Sequence, residues 1–305
     1  MIDFLLKSDH KIINIDIAPP KVLSHKEFWR KIDIREYAKL LLVAQNFAPD
    51  YILHLAARTD LKGGSIDEYD SNTVGTQNIV SICKKDEGIK RVIFASSMLV
   101  NRVGYSPLNS NDYNPNTSYG ESKVEMEKII TNSKMRTDWT IIRPTSIWGA
   151  WFGEPYSDFF HYVIKGLFVH PGEKACTKTY GYIDNSILQI STLLLEADKS
   201  KINGRIFYIG DKPPINISDW ADEIKNQYNN TKNIKVYFWV FSVAALFGDF
   251  LKLINIKFPI TSFRLKNMTT NNILPLDDLY DVVGVHTYTR LEGTKKTLEW
   301  IKQRN

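Results

Sequence analysis

The chain has 305 residues, of which 43% are hydrophobic and 24% are charged, and its formal net charge is +5 at pH 7. These values are typical of a globular protein and exclude intrinsic disorder, collagen and coiled coils. Cys83 and Cys176 have the spacing of neither a disulfide framework nor a zinc site, and the basic residues form no block that would indicate nucleic-acid binding. The longest apolar run, 236–247, is too short for a membrane span, and the first residues do not form a secretory signal. We therefore expect a cytoplasmic protein without a metal site.

The first half of the chain alternates short β-branched runs with amphipathic stretches, which predicts βαβ units and a parallel sheet. The predicted strands of this half are 12–17, 31–34, 51–57, 91–97 and 139–149, and its predicted helices are 35–47, 66–85 and 118–131. The less regular second half contains a predicted strand at 204–211 and predicted helices at 218–228 and 291–302. The alternation lapses near 149–153, so we place a domain boundary between 1–149 and 150–305.

The sharpest motif is Tyr119-Gly-Glu-Ser-Lys123, which opens a predicted helix and follows Ser96-Ser97 at the end of a predicted strand. A spacing of four residues puts the phenol and the ammonium on one helix face, one turn apart. A cation beside a phenol lowers the phenol pKa from about 10, which makes the tyrosine a usable general base. The motif predicts catalytic roles for Tyr119, Lys123 and Ser97, with Ser96 as the alternative hydroxyl. A solvent-exposed tyrosine and lysine pair is the competing interpretation.

With these motifs in this order, the chain resembles the extended short-chain dehydrogenase/reductases, also called the NAD-dependent epimerase/dehydratase family. The resemblance implies a Rossmann-like, doubly wound parallel sheet in 1–149. It assigns 150–305 mainly to a smaller α/β substrate-binding lobe, with segments that return to the first domain. It also implies NAD as the cofactor and a homodimer that pairs through 66–85 and 118–131.

The resemblance carries over to individual cofactor-binding positions. Asp16 matches the acid that binds the adenine ribose hydroxyls, which favours NAD over NADP, and Lys123 matches the residue that also holds the nicotinamide ribose. Several of the matched positions also have a structural alternative. Asp16 could cap a turn, Ala56 and Ala57 could pack in the core, and Asn72 could be a surface amide. Besides Ser97 and Tyr119, the other positions that match cofactor contacts are Ile17, Asp33, Ile34, Leu55, Ala56, Ala57, Asn72, Pro144 and Thr145.

On the substrate side the resemblance selects Ser97, Trp151 and Arg264, together with Ser146, which stands where the family often has an asparagine for a nucleotide diphosphate. Arg264 is similar to an arginine that binds a diphosphate in nucleotide-sugar enzymes of the family. Trp151 belongs to an aromatic cluster that either stacks on a sugar or forms a hydrophobic seam between lobes. The apolar stretch 236–256 is either a buried lid or dimer element, or a contact for a membrane surface or a lipid-like substrate.

Two departures from the family pattern affect the expected activity. No strand with a glycine-rich turn precedes Asp16, and Met1–Asp9 resembles the end of the helix that should follow that turn, so we expect a truncated chain that lacks the pyrophosphate cradle. Ser97 is followed by Met98 and Leu99 instead of the Asp-Glu pair of dehydratases, which disfavours dehydration.

The expected function is that of an NAD-dependent epimerase or oxidoreductase acting on a secondary alcohol or ketone of a nucleotide sugar. One alternative is a hydroxysteroid-like or lipid-linked alcohol dehydrogenase. A second alternative is an inactive, truncated member of the family that binds a ligand without turnover.

Overall fold

A computed structural model describes residues 1–153, 156–171, 176–228, 234–236, 238–253, 258 and 261–304. The strands of this part of the chain are β1 (Asn14–Asp16), β2 (Trp29–Lys31), β3 (Tyr51–His54), β4 (Arg91–Ala95), β5 (Asp138–Pro144), β6 (Ser146–Trp148), β7 (Val169–Pro171), β8 (Thr177–Lys178), β9 (Tyr180–Tyr182), β10 (Arg205–Ile209), β11 (Ile215–Asn216) and β12 (Ile234–Val236).

The α-helices of the same residues are α1 (Ile2–Leu6), α2 (Tyr37–Phe47), α3 (Asp70–Lys85), α4 (Ser118–Thr131), α5 (Tyr156–Ile164), α6 (Ile183–Ser191), α7 (Lys199–Ile202), α8 (Ile217–Tyr228), α9 (Phe238–Leu253), α10 (Ser262–Thr269), α11 (Asp277–Val283) and α12 (Arg290–Lys302). Among the helices described, none combines the length and the apolar composition that crossing a bilayer requires.

The main sheet has four parallel strands in the order β10-β5-β4-β3, which confirms the predicted parallel sheet. Its register places Ile93 of β4 opposite Leu53 of β3 and Thr140 of β5. Because parallel strands end at the same edge, the carboxyl ends of β3, β4 and β5 lie together. Ligands of open α/β sheets bind at such an edge.

Helices cover both faces of this sheet. One face packs on α2, α3 and α4 through a buried cluster that includes Leu40, Val80, Val92, Met126 and Ile141. The other face packs on a second cluster, formed with α11 and the π-helical turn that follows α6, which includes Ile93, Ile142, Leu193, Phe207 and Leu279. This three-layer arrangement is the doubly wound architecture expected from the alternating pattern.

The first two strands form a separate parallel pair, in which Ile15 of β1 lies opposite Arg30 of β2. Ile15 nevertheless packs against the same hydrophobic cluster as Ile52 of β3. In the part of the chain that the structure describes, no ladder joins β1 to β3. The sheet is therefore interrupted at the position where the family pattern places its first strand.

Two sequence predictions of strands are wrong in detail. Instead of 31–34, the second strand is β2, which ends at Lys31, because the Asp33 carboxylate accepts the Arg35 N–H at 2.9 Å and forms the turn that precedes α2. The predicted strand 139–149 is two strands, since Thr145 turns away and β6 pairs with β9 outside the main sheet. The predicted helices 35–47, 66–85, 118–131, 218–228 and 291–302 are confirmed to within a few residues at their ends.

Candidate active site

The start of α4 is held tightly against the end of β4. The Thr117 hydroxyl caps the helix by accepting the Gly120 N–H at 3.0 Å. A Cβ on Gly120 would collide with the Leu99 carbonyl oxygen, two residues beyond Ser97. Glycine at this position lets the helix approach the turn after β4, and this approach brings Tyr119 beside Ser97.

Ser97, Tyr119 and Lys123 are all buried and meet at the carboxyl end of β4. The Ser97 hydroxyl accepts the Leu99 N–H at 3.1 Å and is hydrogen-bonded with the Tyr119 phenol. The Lys123 ammonium lies 6.0 Å from the centroid of the Tyr119 ring and donates to the Ala95 carbonyl at 2.9 Å. The structure therefore brings together the three residues that the motif selects.

The electrostatics of this cluster differ from the sequence expectation in one respect. Burial raises the pKa of Tyr119, and the hydrogen bond with Ser97 lowers it only in part. Burial also lowers the pKa of Lys123 to about 7, although the Glu127 carboxylate acts in the opposite direction. The expected lowering of the phenol pKa by Lys123 is absent because this desolvated amine is bound to Ala95. The phenol is consequently neutral near pH 7 and needs further positive charge to ionise.

Asn72 connects the loop after β3 to α4 and is completely buried, which excludes a surface amide. Its amide nitrogen donates to the Arg58 carbonyl at 3.0 Å and to the Ser122 hydroxyl at 2.9 Å. Its oxygen accepts the Arg58 N–H at 2.8 Å. This clamp fixes the loop relative to the helix turn that carries Tyr119 and Lys123.

Sequence reasoning missed Arg58, Tyr69 and Ser122. Tyr69 is fully buried with its ring centroid 6.0 Å from that of Tyr119, and its hydroxyl donates to the Asp60 carbonyl at 2.8 Å. The Arg58 guanidinium lies 4.9 Å from the Tyr69 ring centroid. The sequence signal for Tyr69 is the glycine at position 63. A Cβ there would lie 2.5 Å from the Tyr69 ring, so the close approach of this ring requires glycine.

The predicted cofactor residues of β1 and β3 lie at the carboxyl ends of the two strands that flank the interruption. Asp16 is exposed, and its carboxylate accepts the Ala18 N–H at 2.8 Å, so it does cap a turn. The next residue, Ile17, is 62% exposed, and Leu55 is 49% exposed. Large apolar side chains are usually covered, so these two fit a site for a flat apolar ring. Ala56 and Ala57 are half-buried beside them.

Other predicted cofactor positions have mainly structural partners. Asp33 forms an ion pair with Arg35, whose hydrogen bonds lower the pKa of that carboxyl. Ile34 is buried against α3, where a Cβ on Gly75 would collide with it. The Thr145 hydroxyl donates to the Ile209 carbonyl at 2.8 Å, and the preceding Pro144 is half-buried. In contrast, the Ser96 hydroxyl is buried and has no hydrogen-bond partner among the described residues.

The substrate-side positions are more dispersed. Ser146 is buried and accepts the Tyr156 hydroxyl at 2.9 Å. The Trp151 ring lies under the Arg304 guanidinium at 3.6 Å and 5.9 Å from the Trp300 ring, contacts that tie it to the carboxyl-terminal region. Arg264 belongs to α10, and its side chain lies outside the described residues.

The aromatic cluster around Trp148 is a hydrophobic seam. Trp148 is 1% exposed and contacts Phe160, Tyr182 and Trp220 at ring-centroid distances of 5.9, 5.0 and 4.8 Å. Phe152 packs against this cluster, and so do parts of α8 and α12. Trp151 contacts the edge of this seam through Trp300 but is 39% exposed, so its assignment as a sugar-stacking residue stays a prediction.

A model of the NAD dependent epimerase/dehydratase family matches residues 1–210. The chain belongs to this family. It is 26% identical to an Escherichia coli O157:H7 protein named N-acetyl-alpha-D-glucosaminyl-diphospho-ditrans,octacis-undecaprenol 4-epimerase, over 96% of this chain and 88% of that relative.

Two solved structures show the same fold. The UDP-glucose 4-epimerase of Thermotoga maritima with UDP-glucose superposes with a TM-score of 0.73 at 16% identity, covering 99% of this chain and 94% of that one. The UDP-glucuronic acid 4-epimerase of Bacillus cereus in complex with NAD gives 0.71 at 19% identity, with the same coverage. These likenesses establish the Rossmann-type fold of the chain.

Proposed function

We propose that this protein is an NAD-dependent epimerase that acts on a secondary hydroxyl of a diphosphate-linked sugar. The observation that carries the proposal is the convergence of Ser97, Tyr119 and Lys123 at the carboxyl edge of a parallel sheet. Membership of the family supports the reaction class. The NAD and UDP-sugar complexes of the two structural neighbours support the cofactor and the substrate class.

The residues of the chain have distinct roles in this reaction. Tyr119 removes the proton of the substrate hydroxyl as it is oxidised, and returns it when the ketone is reduced. Ser97 holds the substrate oxygen, since its hydroxyl already meets the phenol. In its protonated form, Lys123 would place a positive charge one helix turn away from the phenolate. Arg58 and Asn72 are positioning residues that keep the loop after β3 attached to α4.

The described residues fit NAD at its two ends. Asp16, Ile17 and Leu55 would hold the adenosine part, while Ser96, Pro144, Thr145 and Lys123 would border the nicotinamide ribose. The glycine-rich turn that cradles a pyrophosphate is not among the described residues before β1. When bound, NAD supplies the acceptor that takes a hydride from the sugar carbon and returns it to the opposite face.

Two kinds of substrate share this chemistry. A nucleotide sugar is the expectation from the family resemblance. A sugar diphosphate carried on a polyprenol is favoured by the similarity to the Escherichia coli relative, which extends over 96% of the chain. Arg264, which the family resemblance selects, is the residue that we expect to bind the diphosphate in either case.

The test is epimer formation from UDP-N-acetylglucosamine and from N-acetylglucosaminyl diphosphopolyprenol, followed by NMR with NAD⁺ present. Changing Tyr119 to Phe deletes the base and keeps the ring, so the rate should fall by about 10²–10⁴-fold. Tyr51→Phe is the control: it also removes a phenol hydroxyl, but at the amino end of β3 and away from the candidate site, so it should leave the rate unchanged. Equal rates for Tyr119→Phe and the unaltered protein would overturn the proposed function.

The remaining expectations about the whole protein accompany this proposal. We expect a cytoplasmic homodimer that pairs through α3 and α4, with NAD held by 1–149 and the sugar held mainly by 150–305. Helices α3 and α4 pack against each other, as a shared two-helix interface requires. Light scattering at several protein concentrations would measure the mass of the particle in solution and so test the expected homodimer.

A further inference from the structure

Helix α9 exposes a stripe of large apolar side chains. Val240, Val243, Leu246, Phe247 and Phe250 are between 38% and 68% exposed. Their spacing of three, three, one and three residues puts them on one side of the helix. Ala245 is 1% exposed, so another side of α9 is packed against the protein, where α10 is its neighbour. The stripe is therefore an outward surface of a helix that is otherwise anchored.

Basic residues accompany this stripe in the sequence. Four basic residues and one acidic residue occur in β12, α9 and α10 together, so these elements carry three of the five net positive charges of the chain. The acid, Asp249, accepts the Ser262 N–H at 3.1 Å and caps the start of α10. Lys266 of α10 is exposed and lines a cleft of about 380 Å³ with Leu246 of α9. An exposed apolar stripe with a lysine beside it, in a segment of positive net charge, fits a helix that lies in an anionic lipid surface.

The stripe is connected to the candidate active site through α10. Just after α10, the Asn272 side chain accepts the Gly104 N–H at 3.0 Å and contacts the Met98 sulfur at 3.8 Å. Met98 directly follows Ser97. A surface that binds α9 would thus be close to α10, and the residues just after α10 contact the residue next to Ser97.

We propose that the α9 stripe is a docking surface for an anionic lipid bilayer. The apolar side chains enter the boundary between headgroups and acyl chains, and the exposed Lys266 of α10 contacts the headgroups. The charge of these elements favours an anionic bilayer over a second copy of this chain, because two copies would bring like charges together. Binding needs neither NAD nor substrate, so it stands independently of the proposed function.

The test is co-sedimentation of the full chain with vesicles of phosphatidylethanolamine and phosphatidylglycerol, compared with vesicles of phosphatidylcholine alone. We expect binding to the anionic vesicles that weakens as salt is added. The double substitution Leu246→Glu and Phe250→Glu should weaken this binding at least about tenfold, since it places charge in the apolar layer.

Leu108→Glu with Val285→Glu is the matched control, because both residues are highly exposed apolar side chains outside α9. This control should bind anionic vesicles as the unaltered chain does. The proposal is overturned if the unaltered chain does not bind, or if the control loses binding equally. It is also overturned if the α9 variant binds normally but has a smaller mass by light scattering, which would make the stripe an interface between copies.

Discussion

At the scale of single residues, α4 carries two buried charged groups with different partners. Among the described residues, Lys123 has the Ala95 carbonyl and the Met126 sulfur within hydrogen-bonding distance, so its charge is poorly solvated. Glu127, one turn later, forms a two-point ion pair with Arg143, at 2.9 Å and 2.7 Å, with both side chains 0% exposed. The first arrangement favours reactivity and the second favours stability.

The low pKa of Lys123, about 7, predicts a specific dependence of stability on pH. An unfolded lysine has a pKa near 10.4, so between about pH 7 and pH 10 the unfolded chain holds a proton that the folded chain has lost. The free energy of unfolding, taken relative to Lys123→Met, should rise with pH through this window by up to about 1.4 kcal/mol per pH unit. Urea denaturation at several pH values measures it.

Lys128→Met is the control for this measurement, because Lys128 is on the same helix with its side chain 54% exposed. The difference in the free energy of unfolding between Lys128→Met and the unaltered chain should stay constant with pH. A constant difference for Lys123→Met as well would show that the Lys123 pKa is not lowered in the folded protein.

The Glu127 and Arg143 pair predicts a large loss of stability on removal of one partner. Glu127→Ala leaves the buried Arg143 guanidinium uncompensated and removes the acceptor of the Tyr113 hydroxyl, so it should cost about 3–5 kcal/mol. Glu125→Ala removes a half-exposed carboxylate that lies 3.9 Å from Lys128 and should cost less than about 1 kcal/mol. Equal losses in chemical denaturation would contradict the assigned structural role of Glu127.

At the scale of elements, local signals in the sequence determined the prediction of α4 well. The predicted bounds, 118–131, are the observed ones, and Thr117 caps the helix. The prediction of a strand at 31–34 is wrong because Asp33 forms a turn by accepting the Arg35 N–H. The alternation of apolar and polar residues in 31–34 gives no indication of this turn. The clamp of Asn72 joins residues 14 and 50 positions away, for which no local pattern exists. The aromatic seam could not be predicted from local sequence either. Only tertiary packing decides whether an aromatic ring is buried in the core or is exposed to stack on a sugar.

The contact between α4 and the turn after Ser97 predicts the effect of one added methyl group. Gly120→Ala would push the helix away from the Leu99 carbonyl and displace Tyr119 from Ser97, so the epimerisation rate should fall at least about tenfold. Gly153→Ala is the control, because a Cβ there meets nothing within 4 Å. A Gly120→Ala variant with the unaltered rate would show that this close approach does not position the base.

At the scale of the whole molecule, the predicted cofactor residues are divided between two parallel units. Strand β1 of the separate pair ends at Asp16, whereas Leu55 follows β3 of the main sheet. In the described chain β1 and β3 each have a strand partner on one side only. The strands that lead to the residues proposed to hold NAD thus belong to two separate sheets.

The most direct test of this account is calorimetric titration of NAD⁺ into the 305-residue chain. The same titration is made with the chain preceded by a strand and a GxxGxxG turn, and with Tyr119→Phe in each background. Supplying the turn provides the pyrophosphate cradle, so the extended chain should bind NAD⁺ at least about tenfold more tightly than the 305-residue chain. Tyr119→Phe should bind as tightly as its parent, since the phenol is assigned to proton transfer. Failure of both chains to bind NAD⁺ would contradict the account and favour a family member that binds a ligand without turnover.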